Sequence, residues 1–349
     1  MRILEEDKEK QSLSIHVQNI DDLWYIHNII TPGDRVRMVV LRRQDKQDDM
    51  TRSKEQSRKP MLLTVEVSDV EFQEFSSKIK VLGTIVEGKE GLIGEHQSFM
   101  IGTEDTFELI KAAWSDEQKE MLREGSESTF GQGYCFVGID DEEASVFILR
   151  SYGIQGMGKV SAGKSGKDYE THYSEKEYLL EVIKTIRTTI SPDIPVIVLG
   201  AGFTREKLVN MLKSDPAFSG RQIFSYATAR SDEGGIYEFL SKEESEKIFS
   251  ASRMVNERKL LEQFFKNLKT NDLSVYGKDA VKEALKTGAV EDLIMTEEKF
   301  RSNESRELLE LAKNFSSRVH IFSVHDDSGL SVKKFGGYCA ILRFPMPKQ

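Results

Sequence analysis

The chain has 349 residues, 38% of them hydrophobic and 31% charged, which is enough for two or three packed domains. Its formal charge of −9 excludes a protein that binds nucleic acid through overall charge, so polyanion binding would require local basic patches. No apolar run approaches the roughly 20 residues of a membrane-spanning helix, and the first ten residues are too acidic and polar for a secretion signal. We therefore expect a cytoplasmic protein without a membrane partner. Cys135 and Cys339 stand in apolar segments, which predicts buried thiols.

The first predicted domain, residues 1–128, consists mainly of short segments with β-strand alternation. These segments are SLSIHVQ, DRVRMVVLRR, MLLTVEVSDVEF, KIKVLGTIVEG and HQSFMIG, each separated from the next by a polar break. One short helix is predicted over 21–30, and a second begins after Ser115. The pattern predicts a small β-barrel.

The remaining chain alternates helix and strand patterns and predicts two further domains. Residues 129–245 predict a central α/β domain with a mixed sheet, including a strand over 195–202. Its helix 174–190 begins with Ser174 and Glu177 at the spacing of a capping box. A long helical stretch, 241–269, follows, and residues 246–349 predict a compact α/β/α sandwich.

The segment GKVSAGKS, residues 158–165, fits the phosphate-binding pattern G-x-x-x-x-G-K-[ST]. That pattern needs a helix starting at its Lys-Ser end, so that backbone amides face the phosphates. Here the next helix signal is Ser174, nine residues beyond Ser165. We interpret the segment as part of a long basic loop, with Lys159, Lys164 and Lys167 available to the phosphates of a polynucleotide. A P-loop nucleotidase is the less favoured alternative.

A second basic segment covers residues 35–59, with nine basic and four acidic residues and a formal charge of +5. Between its flanking strand patterns lies a loop of about seventeen residues, a length typical of functional or disordered loops. One interpretation is a solvated linker, and the other is a finger that contacts RNA phosphates. The candidate RNA-binding residues here are Arg42, Arg43, Lys46, Arg52, Lys54, Arg58 and Lys59.

Adjacent acids at Asp21 and Asp22 are the strongest candidates for a metal site. Paired carboxylates can bind a divalent ion that cleaves phosphodiester bonds. The same residues precede an amphipathic helix, where acidic side chains stabilise the positive end of the helix dipole, and we favour that structural interpretation. The sequence contains no H-E-x-x-H, G-x-S-x-G or C-x-x-C motif.

Three stretches together resemble the pelota family of archaeal and eukaryotic ribosome-rescue factors, which is related to the class I release factors. They are IDDLWYIHNIITPGDRVRMVVLRR, GLIGEHQSFMIG with the following KAAWS, and YGKDAVKEALKTGAVEDLIMTEE with VHIFSVHDDSGLSVKKFGGYCAILRFP. The resemblance implies an Sm-like N-terminal β-barrel, a central ribonuclease-H-like domain and a C-terminal domain like kink-turn-binding ribosomal proteins. It also implies a monomeric, tRNA-shaped factor that enters stalled ribosomes and contacts rRNA and mRNA. Its implied partners are a translational GTPase of the aminoacyl-tRNA-delivering type and an ATP-driven ribosome-splitting factor.

The resemblance also assigns roles to particular positions. Loop 43–59 corresponds to a segment that reaches the mRNA channel, and Lys159–Lys167 to a basic loop near rRNA. Ala201, Gly202 and Phe203 match a Pro-Gly-Phe segment in contact with the GTPase, with alanine replacing proline. The Gly-Gly-Gln and Asn-Ile-Lys-Ser motifs of release factors are absent, and Gly131-Gln132-Gly133 does not replace the first, so no peptide release is expected. No cofactor is expected; the rival hypothesis is an endoribonuclease that binds Mg or Mn through Asp21 and Asp22.

Overall fold

The computed structural model describes residues 1–43, 58–74, 76–127, 133–163, 174–249, 253–270 and 272–346. The chain divides into two compact units, Met1–Gly131 and Gln132–Gln349. The second unit contains two separate sheets, and the further boundary near residue 245 stays a prediction. Within the described ranges, no helix combines the length and the apolar character needed to cross a membrane.

The first unit is a sheet of seven antiparallel strands, paired in the order β1-β2-β7-β3-β4-β5-β6. The strands are β1 (Arg2–Asp7), β2 (Ser12–His16), β3 (Arg35–Arg43), β4 (Arg58–Glu71), β5 (Lys78–Glu87), β6 (His96–Gly102) and β7 (Thr106–Ile110). The helices are α1 (Ile20–Ile29) and α2 (Asp116–Glu127).

The core of this unit forms around α1. Leu23, Trp24 and Ile26 are completely buried, and alternate residues of β5 are buried as the two-residue period of a strand requires. A buried ion pair fixes the end of α1, because Lys111 Nζ donates to the carbonyl of Ile29 at 2.9 Å and forms a salt bridge with Asp34. This arrangement satisfies a carbonyl that a helix end leaves unpaired.

The second unit begins with a five-stranded mixed sheet in the order β10-β9-β8-β11-β12. Its strands are β8 (Tyr134–Ile139), β9 (Glu143–Arg150), β10 (Gly153–Ser161), β11 (Val196–Gly200) and β12 (Ile223–Ala227). β11 pairs in parallel with β8 and β12, whereas β8, β9 and β10 pair antiparallel. Its helices are α3 (Glu175–Thr189), α4 (Phe203–Ser214), α5 (Glu233–Leu240) and α6 (Glu243–Phe249), with a 3₁₀ turn at Pro216–Phe218. The predicted mixed sheet is therefore confirmed.

The second sheet of this unit has four strands in the order β13-β16-β14-β15. Its strands are β13 (Ser274–Tyr276), β14 (Val290–Thr296), β15 (Arg318–Phe322) and β16 (Tyr338–Leu342). Its helices are α7 (Arg253–Thr270), α8 (Lys278–Lys286), α9 (Glu297–Arg301), α10 (Arg306–Asn314) and α11 (Asp327–Lys334), with a 3₁₀ turn at Asn303–Ser305. Phe264 of α7 and Val332 of α11 pack with Ile294, Phe322 and Ile341 of the sheet, which gives helix and sheet a common core.

Both cysteines are buried and free, as the sequence predicts. Cys135 lies on β8 and Cys339 on β16, and burial raises the pKa of each thiol to about 12. Most of the predicted long helical stretch 241–269 is helical, with α6 over Glu243–Phe249 and α7 from Arg253, and residues 250–252 lie outside the described residues.

Candidate RNA- and partner-binding sites

The acidic pair lies in the first turn of α1, where Asp22 is part of a capping box. The Asn19 side chain accepts a hydrogen bond from the Asp22 amide at 3.1 Å. In return, Asp22 Oδ2 accepts from the amides of Gln18 and Asn19 at 2.8 and 3.1 Å. Asp22 Oδ1 accepts from the amino group of Met1 at 2.5 Å. Both oxygens of this buried carboxylate therefore bind donors of the protein itself, which supports the structural interpretation.

Asp21 is also buried, at 4% exposure. Across the described ranges, no cluster of three or more His, Cys, Asp or Glu side chains could hold a metal ion. A divalent ion such as Mg²⁺ binds few protein carboxylates but needs open coordination positions for water and substrate phosphate. The buried start of α1 offers Asp22 no oxygen that is not already hydrogen-bonded, so the metal interpretation has little support from its geometry.

The basic segment is a hairpin of β3 and β4 that extends further than the sequence indicates. Its register places Arg42 opposite Lys59 and Arg43 opposite Arg58. The predicted loop 43–59 is therefore too long at its C-terminal end, because residues 58–60 continue the ladder of β4. Three of the candidates lie outside the described residues: Lys46, Arg52 and Lys54.

Carboxylates already pair with the arginines of β3. Arg37 donates to Glu108 at 3.0 Å and to Glu87 at 2.5 Å, and this contact holds the pKa of Glu87 below its ordinary value. Arg42 hydrogen-bonds Glu95. These pairs are partly exposed and stabilise the fold only slightly, but they reduce the positive potential that the sequence predicts here.

The distribution of charge also differs from the prediction. Residues 44–57 contain three basic and four acidic residues, so this part alone has a formal charge of −1. The positive excess of segment 35–59 belongs to the two strands, on Arg35, Arg37, Arg42, Arg43, Arg58 and Lys59. Lys59 is exposed and has no ion pair among the described residues, so its ammonium group is accessible to a phosphate.

The segment 158–161 is not a loop. Gly158, Lys159 and Val160 belong to β10 and pair with Val146, Ser145 and Ala144 of β9. Lys159 Nζ donates to Glu143 at 3.0 Å and remains two-thirds exposed. Because a P-loop requires its first glycine at the end of a strand, the strand continuing past Gly158 argues against nucleotide binding. Lys164 and Lys167 lie outside the described residues.

The turn before α4 presents an aromatic ring to solvent. Phe203, the first residue of α4, is 78% exposed. Gly202 caps the helix at φ 77°, and a Cβ on Gly200 would lie 1.9 Å from the carbonyl oxygen of Ile139. Ala201 is exposed beside them. Both glycines are therefore conformationally required, and the turn that they form leads directly into the exposed Phe203.

A groove of about 460 Å³ between the end of α5 and α7 was not predicted from the sequence. Its cationic lining is formed by Lys242 together with Arg258, Lys259 and Lys266 of α7. The sequence does contain the spacing that predicts this basic face, because positions 258, 259 and 266 share one side of a helix with 3.6 residues per turn. Glu257 and Glu262 of the same helix partly offset this positive charge in the sequence.

A buried carboxyl group with a strongly raised pKa occurs at the start of α11. Asp326 caps this helix, and its Oδ1 accepts from the Gly329 amide at 2.8 Å. Burial raises the pKa of Asp326 to about 7 against the opposing effect of that hydrogen bond, and Asp327 adds to the increase. This group therefore titrates near neutral pH.

Comparison with known proteins relates the chain to translation factors of the pelota and release-factor type. A family model described as the Pelota N-terminal domain matches residues 1–126, and one described as eRF1 domain 3 matches residues 254–346. The chain belongs to the pelota family, since it is 38% identical to the protein pelota homolog of Picrophilus torridus across 97% of this chain and 98% of that protein. The pelota homolog of Thermoplasma acidophilum is 35% identical, with 99% of both chains covered.

Solved structures share the fold. The crystal structure of the Thermoplasma acidophilum Pelota protein matches with a TM-score of 0.81 at 30% identity, covering 99% of this chain and 100% of that one. Dom34 of S. cerevisiae matches with a TM-score of 0.55 at 17% identity, covering 100% and 99%. It is described as a translation termination-like factor involved in RNA quality control pathways and interacting with Hbs1. The multidomain α/β architecture predicted from the sequence is confirmed.

Proposed function

We propose that this protein is a ribosome-rescue factor that recognises stalled ribosomes and, with a translational GTPase, promotes their dissociation and mRNA surveillance (no-go decay) without peptide release. The observation that carries the proposal is the match to pelota homologues across 97% to 99% of the chain. A match of that extent includes all parts of the chain in one order, unlike the match of a single shared domain.

The GTPase docks on the turn formed by Ala201, Gly202 and Phe203. Support comes from the exposure of Phe203, because aromatic side chains held rigidly in solvent are enriched where proteins bind each other. Proline is not required for this geometry, since Gly200 and Gly202 provide the two unusual backbone conformations. An ATP-driven splitting factor acts as a further partner, and the rescue factor works as a monomer in the cytoplasm.

RNA contacts come from the β3–β4 hairpin, from Lys159 on β10 and from the positions that follow this strand. Lys59 on β4 is exposed and unpaired among the described residues, and Lys159 forms only a solvent-exposed ion pair. An exposed pair of this kind contributes little to stability and exchanges readily for a phosphate. The candidates at positions 46, 52, 54, 164 and 167 belong to the same proposal.

The chain needs no cofactor and cleaves no RNA in this role. Both oxygens of Asp22 accept hydrogen bonds from the protein itself, which favours this non-catalytic role over the rival endoribonuclease, in which Asp21 and Asp22 bind Mg or Mn. A nuclease would require at least one carboxylate oxygen directed at the ion.

One reconstituted reaction tests both hypotheses. Ribosomes stalled on a truncated, labelled mRNA are mixed with this protein, its GTPase and the splitting factor, and subunit separation and mRNA length are measured together. We expect subunit separation with intact mRNA. Cleavage that disappears in Asp21→Asn, which leaves the capping box in place, would instead identify a nuclease.

The proposed docking turn has a matched control in the same reaction. Phe203→Ser should reduce GTPase binding and subunit separation, whereas Leu180→Ser on α3, another exposed apolar position, should not. Equal activity of the two variants would remove the turn from the proposed GTPase interface.

A further inference from the structure

The charges of α7 separate onto two faces of the helix. Arg253 Nε donates to Glu257 Oε1 at 2.7 Å, and a second nitrogen of Arg253 bonds the carbonyl of Ile321. Arg253 and Glu257 are thus used within the fold and neutralise each other. The other charged residues are Arg258, Lys259, Glu262, Lys266 and Lys269, with a formal charge of +3 on a chain of −9.

This cationic face lines the groove opposite the end of α5. Lys242 enters from the far side, where its Nζ donates to Glu238 at 3.0 Å and to the carbonyl of Ala227. Arg258 lies over the ring of Tyr237 and bonds Glu262 at 3.2 Å, while Lys266 has no ion pair within the described ranges. Lys259 and Lys266 are seven residues apart, about 10 Å along the helix axis, so they can bind separate anionic groups.

We propose that this groove binds the phosphate backbone of RNA. Charge complementarity selects a polyanion, because four cations and one acid line the groove. The lining favours phosphate over an acidic protein segment, since protein interfaces are enriched in aromatic residues and depleted in lysine. Here the described lining residues include three lysines and no aromatic side chain. Lysine ammonium groups bind phosphate as point charges without a fixed geometry, which suits contact with a backbone rather than with bases.

The inference depends on the proposed function only for the identity of the RNA, which would be ribosomal. The groove lies in the second unit, on elements that carry none of the positions assigned to RNA by family resemblance. RNA binding can be measured without ribosomes, so failure of the groove and failure of the rescue function give separate results.

The test measures fluorescence anisotropy of a short, labelled, single-stranded RNA with the full-length protein over a range of salt concentrations. A plot of the logarithm of the RNA-binding constant against the logarithm of the salt concentration has a negative slope. In the variant Lys259→Gln/Lys266→Gln this slope should be less steep by about 1.4, which corresponds to about 25-fold weaker binding near 0.1 M salt. The control Lys176→Gln/Lys213→Gln makes the same charge change at exposed positions on α3 and α4. It should leave both the affinity and the slope at the wild-type values. Thermal unfolding of both variants checks that folding is intact.

A third variant tests the direction of the effect. Glu262→Gln removes the one acid among the described lining residues and should strengthen RNA binding at low salt. Equal salt slopes for the groove variant and its control would overturn the proposal. Displacement of the RNA by polyglutamate at equal charge concentration would also overturn it, in favour of an acidic protein partner.

Discussion

Replacing Asp22 by asparagine separates a structural role of the acidic pair from a catalytic one. Asparagine keeps the size of the side chain but removes its charge and places an NH₂ group where one oxygen now accepts hydrogen bonds. The amides of Gln18 and Asn19 and the amino group of Met1 then share a single neutral acceptor. The environment is buried, so water cannot replace the lost contacts.

The magnitude follows from these contacts. A hydrogen bond to a charged group contributes about 1.5–3 kcal/mol, and leaving one member of a buried ion pair alone costs about 3–5 kcal/mol. The contacts share one carboxylate and do not add, so we expect Asp22→Asn to lower the free energy of unfolding by about 3–5 kcal/mol. A metal-binding pair predicts the opposite sign, because two carboxylates without their ion repel each other and neutralising one relieves that repulsion.

Urea unfolding of metal-free protein measures the difference. Asp279→Asn is the matched control: Asp279 also lies in the first turn of a helix, but it is exposed. Its loss should cost only the dipole contribution of about 0.3–1 kcal/mol. A purely structural role of Asp22 would be contradicted if Asp22→Asn were as stable as wild type and Mn²⁺ raised the unfolding midpoint of wild type alone.

Three further predictions concern other parts of the chain. Because the pKa of Asp326 is raised from 3.8 to about 7, the folded protein holds a proton that the unfolded chain has released, so stability should fall as pH rises through that range. Asp326→Asn should flatten this fall in pH-dependent thermal unfolding, and an unchanged profile would assign it to other groups. Lys111→Met should lower the free energy of unfolding by about 3–5 kcal/mol in urea, because it leaves Asp34 buried without its cation; a loss below about 1 kcal/mol would mean that the pair is hydrated. Calorimetric titration with magnesium-ATP or magnesium-GTP should give no heat, and binding that Lys164→Ala abolishes would restore the nucleotide hypothesis.

The sequence alone was sufficient to predict a helix start where one capping side chain determines where the helix begins. The Ser174 and Glu177 spacing predicts the start of α3, and the Ser174 side chain accepts a hydrogen bond from the Glu177 amide. The start of α1 was placed slightly late, because the cap there is Asn19 paired with Asp22 and lacks the Ser/Thr and Glu/Gln signature.

β10 shows where local signals fail. Three glycines, Gly153, Gly156 and Gly158, weaken the strand propensity of the segment, and the register shifts between the last two. The strand forms because it pairs along the whole of β9, a contact that strand propensity alone does not contain. The same limitation explains why the sequence predicts too positive a potential for the hairpin. The carboxylates that pair with Arg42 and Arg37 belong to Glu95 and Glu108, which lie 53 and 71 residues away in the chain.

The buried thiols of Cys135 and Cys339 have a practical consequence for studying this protein. At neutral pH a thiol with a pKa of about 12 is almost entirely protonated, and the core shields both sulfur atoms from reagents. A cysteine introduced at an exposed position will therefore react with maleimide dyes far faster than either native residue. Fluorescent reporters can then be attached to the wild-type background, without the destabilising substitutions that removal of core cysteines would bring.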